Sequence, residues 1–81
     1  MTEQQVESHI IQHIQKFYGQ NVGVTVGRET TIDQLGLDSL DKTELVIHVE
    51  REFSMTLPDE DWETCDDVGK LIDAVNRVLG Q

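Results

Sequence analysis

The 81-residue sequence has one cysteine, one proline and four aromatic residues (two Phe, one Tyr, one Trp), and only 6 Lys and Arg stand against 16 Asp and Glu. Each shortage excludes something. Cys65 alone cannot form an internal disulfide or a four-thiol zinc site, which suits a reducing compartment such as the cytoplasm. No window approaches the roughly 18 consecutive apolar residues of a membrane span, and the start MTEQQVESHI lacks a basic patch followed by an apolar run, so a soluble, unprocessed chain is expected. The net charge of −10 repels phosphate backbones and anionic headgroups, which argues against nucleic-acid and membrane partners and for proteins with basic surfaces. Trp62 and Tyr18 have no basic, interleaved setting that would stack bases, and are read as packing at the edge of a thin core. A chain of this length buries only about 60–65% of its unfolded surface, enough for one modest core, so a single domain over 1–81 is expected.

Apolar residues at helical spacing define what is present. Val6, Ile10, Ile14 and Phe17 predict an amphipathic helix over residues 3 to 17, closed by Gly19, with His9 and His13 among its water-facing positions. Residues 19 to 38 hold four of the six glycines and read as a long connector. Val22, Val24 and Val26 alternate as a strand would, but a lone strand has no partner for its backbone, so Ile32, Leu35 and Leu37 are expected to pin a loop to the core. A second helix starts at Asp38 and runs through Leu40, Val46, Val49 and Phe53, with Asp38, Asp41 and Glu44 at the end where the helix dipole favours negative charge. Pro58 suits the first turn of a short third helix near 59 to 64, followed by Asp59, Glu60 and Asp61. Val68, Leu71, Ile72, Val75 and Leu79 mark a last helix, capped by Asp66 or Asp67 and closed by Gly80. The expected fold is all-α: a small four-helix bundle with three longer helices, a short third one and a long loop between the first two.

Three chemical readings fail on the residues. Asp59, Asp61 and Glu63 alternate as calcium-loop ligands do, yet Thr64 stands where the loop needs glycine and Lys70 where it needs the closing acid. Ser39 in GLDSL lacks the second glycine of a nucleophile elbow, and a bundle this small offers little enclosed surface for catalysis. Cys65, beside Asp66 and Asp67, is disfavoured as a thiolate and reads as a core filler. Ser39 is more informative in another way. A serine is often a helix cap, but here Asp38 can cap, which leaves Ser39 exposed in the first turn, where the positive end of the helix would stabilise an attached phosphate.

The run Leu35-Gly36-Leu37-Asp38-Ser39-Leu40, followed by Asp41, Glu44-Leu45-Val46, Glu50, Glu52-Phe53, Leu57-Pro58-Asp59-Glu60 and then Val68, Leu71, Ile72 and Asp73, resembles the acyl carrier proteins of fatty acid and polyketide synthesis. The resemblance covers Leu35 to Asp73, and the first helix in pattern only. It implies a non-catalytic, monomeric cytoplasmic carrier. Its Ser39, flanked by Asp38 and Leu40, receives 4′-phosphopantetheine from coenzyme A through a separate phosphopantetheinyl transferase, which supplies base and magnesium. The arm's thiol then holds acyl groups as thioesters. Asp41, Glu44, Glu50, Asp59, Glu60 and Glu63 form an acidic frame for acyl-transferring and chain-modifying enzymes with basic docking patches, with Leu40 and Ile47 as the apolar residues within it. For Leu40, core packing is the other reading.

The sequence departs from the family pattern in four places. Lys42 and Arg51 dilute the acidic face, and Thr31 replaces an aromatic of the connector. Trp62 replaces a small residue and is expected to crowd the cleft where many carriers shelter an acyl chain. Aminoacyl or D-alanyl carriers share the serine and remain an alternative, as does an unmodified interaction module.

Overall fold

The computed structural model describes residues 2–80. Four helices carry the chain, and no strand forms among the described residues. Helix α1, Glu3–Ile14, opens on a capping box in which the Gln5 N–H donates to Thr2 Oγ1 (3.1 Å) and the Thr2 N–H to Gln5 Oε1 (2.8 Å), so two amides of the first turn are satisfied. The helix does not stop at 17. It passes through a π turn, Gln15–Gly19, and on through Gln20–Val22 before closing at Gly23. A π turn adds one residue per turn and shifts every later side chain around the axis. Phe17, expected inside, is therefore 50% exposed, while Tyr18 is half-buried and Gly19 buried.

Gly19 was expected to end the helix; instead it is the place where the connector crosses it. A Cβ there would lie 2.8 Å from Val26 Cγ2 and 3.0 Å from the Val24 carbonyl oxygen. The crossing segment finds its backbone partner in a side chain: Gln15 Nε2 donates to the Val24 carbonyl and the Val26 N–H donates to Gln15 Oε1, both at 2.8 Å. An extended segment thus satisfies its polar groups without a sheet. Val26, Ile32 and Leu35 are buried, as the pinning of the loop requires, and Leu37 is half-buried.

The connector is tied to the last helix, α4 (Val68–Leu79), by two backbone bonds, Gly69 N–H to Arg28 O and Val68 N–H to Thr30 O, and to the residue before its cap by a third, Ile32 N–H to Asp66 O. Arg28 adds ion pairs to Glu7 and, at 2.7 Å, to Asp73. Asp67 rather than Asp66 caps α4, accepting from the Lys70 N–H at 2.8 Å. Leu79, assigned to the inward stripe, is 39% exposed because it lies in the final turn.

Helix α2 spans Ser39–Glu52 and buries Leu45, Val46 and Val49. Leu40 belongs to the apolar pattern but points outward. The short α3, Asp59–Trp62, ends two residues before the expected 64, with Pro58 at its N-cap. One core cluster joins Val6, Ile10 and Ile14 of α1 to Leu45 and Val49 of α2 and Leu71, Ile72 and Val75 of α4, with Cys65 at 6% exposure inside it. Burial raises the Cys65 thiol pKa, and its Sγ donates to the Asp61 carbonyl at 3.4 Å, as a small core filler would. His13, expected in water, is half-buried because its ring lies against His48 of α2.

Candidate functional site

The approach to α2 is fixed by a single capped turn. Thr31 and Gln34 exchange bonds, Gln34 N–H to Thr31 Oγ1 at 3.0 Å and Thr31 N–H to Gln34 Oε1 at 2.8 Å, which gives Thr31, the residue that departs from the family pattern, a structural use. The turn ends as a Schellman motif: the Leu37 N–H donates to Ile32 O (3.3 Å) and the Gly36 N–H to Asp33 O (3.0 Å), with Gly36 at φ +69°, a conformation that costs an L-residue with a side chain roughly 1–2 kcal/mol. The chain leaves this turn in the direction that starts α2.

At that start Asp38, extended at φ −88° and ψ −176°, accepts the Asp41 N–H on Oδ1 at 2.8 Å, and Asp41 Oδ2 accepts the Asp38 N–H at 3.3 Å. This is a capping box built from two aspartates. Because Asp38 holds the cap, Ser39 falls in the first helical position, exposed. Its carbonyl accepts from Thr43 Oγ1 at 2.9 Å, while its hydroxyl has no partner among the described residues. The N–H groups of Ser39 and Leu40, too early in the helix for an intrahelical acceptor, are also without one among the described residues.

These residues fit a phosphodiester on Ser39: a free hydroxyl, two open amides and the positive end of a 14-residue helix converge there. The carboxylates of Asp38 and Asp41 oppose part of that field, but each is turned onto a backbone amide.

The other candidates lie around this point. Leu40 is 68% and Ile47 43% exposed on α2, so Leu40 is not a core residue. Glu44 is exposed, Asp41 and Glu50 are half-buried, and Asp59, Glu60 and Glu63 are exposed at α3. Glu44, Asp59, Glu60 and Glu63 carboxylates have no hydrogen-bonding or ion-pair partner among the described residues. Glu50 does: its Oε2 accepts the Leu57 N–H at 2.8 Å and holds the loop after α2, where Ser54 adopts φ +50°. Asp61 pairs with Arg77 at 3.2 Å and Asp66 with Lys70 at 2.7 Å, so the acidic stretch is not uniformly free.

Lys42 keeps its positive charge within the acidic face and is held there: Nζ donates to the Glu63 carbonyl at 3.0 Å and stands 5.7 Å from the Trp62 ring centroid, a cation–π distance. It straps α3 to α2 and covers the half-buried Trp62. The contact spans 21 residues, and no local pattern in the sequence announces it.

The chain matches the family model described as the phosphopantetheine attachment site over residues 8–75. It is 39% identical to the non-reducing polyketide synthase Preu3 of Preussia isomera, over 69% of this chain and 2% of the synthase. It is 38% identical to acyl carrier protein 3, mitochondrial, of Arabidopsis thaliana, over 86% of this chain and 56% of that protein. The chain thus spans about half of the plant relative and a small part of the synthase. Among solved structures, the crystal structure of an acyl carrier protein from Thermotoga maritima is similar with a TM-score of 0.76 at 29% identity, covering 96% of this chain and 91% of that one.

Proposed function

Because this chain belongs to the phosphopantetheine attachment site family, we propose that Ser39 is its attachment residue and that the loaded protein carries acyl groups between enzymes of fatty acid, polyketide or related synthesis. The observation that carries the reading is the exposed hydroxyl in the first turn of α2, freed from capping duty by Asp38. In the attachment reaction the Ser39 oxygen bonds to phosphorus of coenzyme A's pyrophosphate, the adenosine bisphosphate leaves, and the serine proton passes to a base of the transferase. The arm supplies a terminal thiol that holds an acyl group as a thioester. This chain's own residues present the hydroxyl and the docking surface, and the carrier acts as substrate and shuttle rather than as an enzyme.

Docking follows from charge. Glu44, Asp59, Glu60 and Glu63, free of internal partners among the described residues, are the acids available to Lys and Arg of a transferase or an acyl-processing enzyme, and Asp38 and Asp41 flank the serine itself. Leu40 and Ile47 offer the apolar contact between them. Rim charges of this kind raise association rates and orient the partner more than they deepen affinity, which suits a protein that must leave each enzyme quickly. Glu50 contributes less, since its carboxylate holds Leu57. A monomer in a reducing, cytoplasmic setting completes the proposal, because the arm's thiol must stay reduced.

The test is incubation of the full chain with coenzyme A and a broad-specificity phosphopantetheinyl transferase, read by intact mass. Native protein gains one phosphopantetheinyl group and the Ser39→Ala variant gains none. A native chain that stays unmodified refutes the proposal, and an arm that survives Ser39→Ala moves the site. Offering the loaded protein to acyl and aminoacyl ligases then identifies the cargo.

A further inference from the structure

On the seam between α1 and α2 the imidazoles of His13 and His48 lie face to face, with centroids 3.7 Å apart and planes 10° from parallel. Phe17 packs on His13 at 4.6 Å, and Tyr18 meets it edge-on at 6.3 Å. Beside them a cleft of about 220 Å³ is lined by Ile10, His13, Phe17, His48, Val49 and Phe53 among others. Two neutral imidazoles stack well, whereas two imidazolium ions at this separation repel each other and lose hydration.

We infer that the His13–His48 stack is a pH-sensitive clasp: neutral, it holds α1 against α2 beside the cleft, and protonation in mild acid releases it. Histidine is the side chain whose ordinary titration falls in this range.

The surrounding charges set the sign. From α1, Lys16 faces the stack and disfavours further positive charge, and His9 lies 3.5 Å from Glu52. From α2, Glu52 alone favours the His13 cation, while Arg51 turns away to a different cleft with Ile47 and Glu50. Tyr18, its pKa raised by burial and by Glu44 and Asp41, stays neutral throughout. The balance lowers the His13 pKa, first by burial, then by the His48 charge, with Glu52 opposing. A base whose folded pKa is depressed gives stability that is complete above its ordinary value of 6.5 and is lost as the pH falls through that value towards the lowered one. His9, 3.5 Å from Glu52, is kept in every variant so that only the stack differs.

The experiment compares the native chain with H13F and H48F, which keep ring against ring but remove one charge, and with H48Q at an exposed position in case an added phenyl ring disturbs folding. Urea midpoints at about pH 7.5 and about pH 5.5 bracket imidazole titration while leaving ordinary carboxylates ionised. The native midpoint falls over this interval, and each variant loses less than half as much. Amide exchange at residues 13–19 and 48–53, corrected for intrinsic rates, rises in acid in the native chain more than in H48F. In NMR titrations the His13 imidazole protons shift at lower pH in the folded chain than in concentrated urea. Equal acid losses in the native chain and all three variants, or a His13 midpoint unchanged by unfolding, overturn the inference.

Discussion

Asp38 is both a helix cap and a charge beside Ser39, and two substitutions separate these roles. Asp38→Ala removes the acceptor that holds the Asp41 N–H at 2.8 Å, a loss of about 1 kcal/mol for an N-cap, and removes a carboxylate from the positive end of α2, a further ~0.3–1 kcal/mol. The sum is about 1–2 kcal/mol, and for a domain of this size it lowers Tm by roughly 4–16 °C in a thermal melt followed by circular dichroism. Asp38→Asn keeps an oxygen in the same place and loses only the charge, so its Tm falls by less than ~5 °C. The rate of phosphopantetheinylation discriminates further. For D38N the deficit appears at low salt and shrinks near 1 M salt, where the Debye length is about 3 Å. For D38A it persists, because a frayed first turn no longer fixes Ser39. If D38A melts with the native chain, the capping box does not set the start of α2; if D38N is as unstable as D38A, the charge rather than the hydrogen bond is what stabilises it.

Gly19→Ala forces a methyl to within 2.8 Å of Val26 Cγ2 and 3.0 Å of a backbone oxygen; overpacking of about 1–3 kcal/mol outweighs the helix-propensity gain of under ~1 kcal/mol, so urea unfolding shows a net loss. Neutralising Glu44, Glu60 and Glu63 together with Gln leaves Tm within a few degrees but slows transfer by a basic partner enzyme at low salt, with the difference closing at high salt in stopped-flow association. Cys65, its thiol pKa raised chiefly by burial, reacts with iodoacetamide far more slowly in the native chain than in urea at about pH 8. Because an acid with a raised folded pKa gives stability that fades as pH rises past its unfolded value, Cys65→Ala removes part of the alkaline loss of stability above about pH 8.5.

Much of the site was legible because its determinants are local. Asp38, Ser39 and Asp41 lie within four residues, and capping acts over that distance, so the exposed serine followed from the identity of its neighbour. The acids between Asp59 and Asp67 likewise stood in the sequence as a run without a basic residue. Illegible features depended on pairs distant in the chain. Lys42 meets Glu63 across 21 residues and Trp62 beside it, Glu50 reaches Leu57 around a loop, and His13 finds His48 only when α1 and α2 pack. Phe17 was misplaced because a 3.6-residue period cannot anticipate a π turn.

The sequence by itself determined that these helices form, that Asp38 caps α2 and that Ser39 is displayed in its first turn, since hydrophobic period and side-chain capping are interactions of residues three or four apart. Tertiary structure decided that Asp61 is held by Arg77 and Glu50 by the Leu57 amide while other acids stay free. It also decided where α1 ends, because the crossing of Val24 and Val26 needs Gly19 inside the helix and Gln15 beside it. Such contacts are selected by the shape of the packed core, which exists only once all the helices have met.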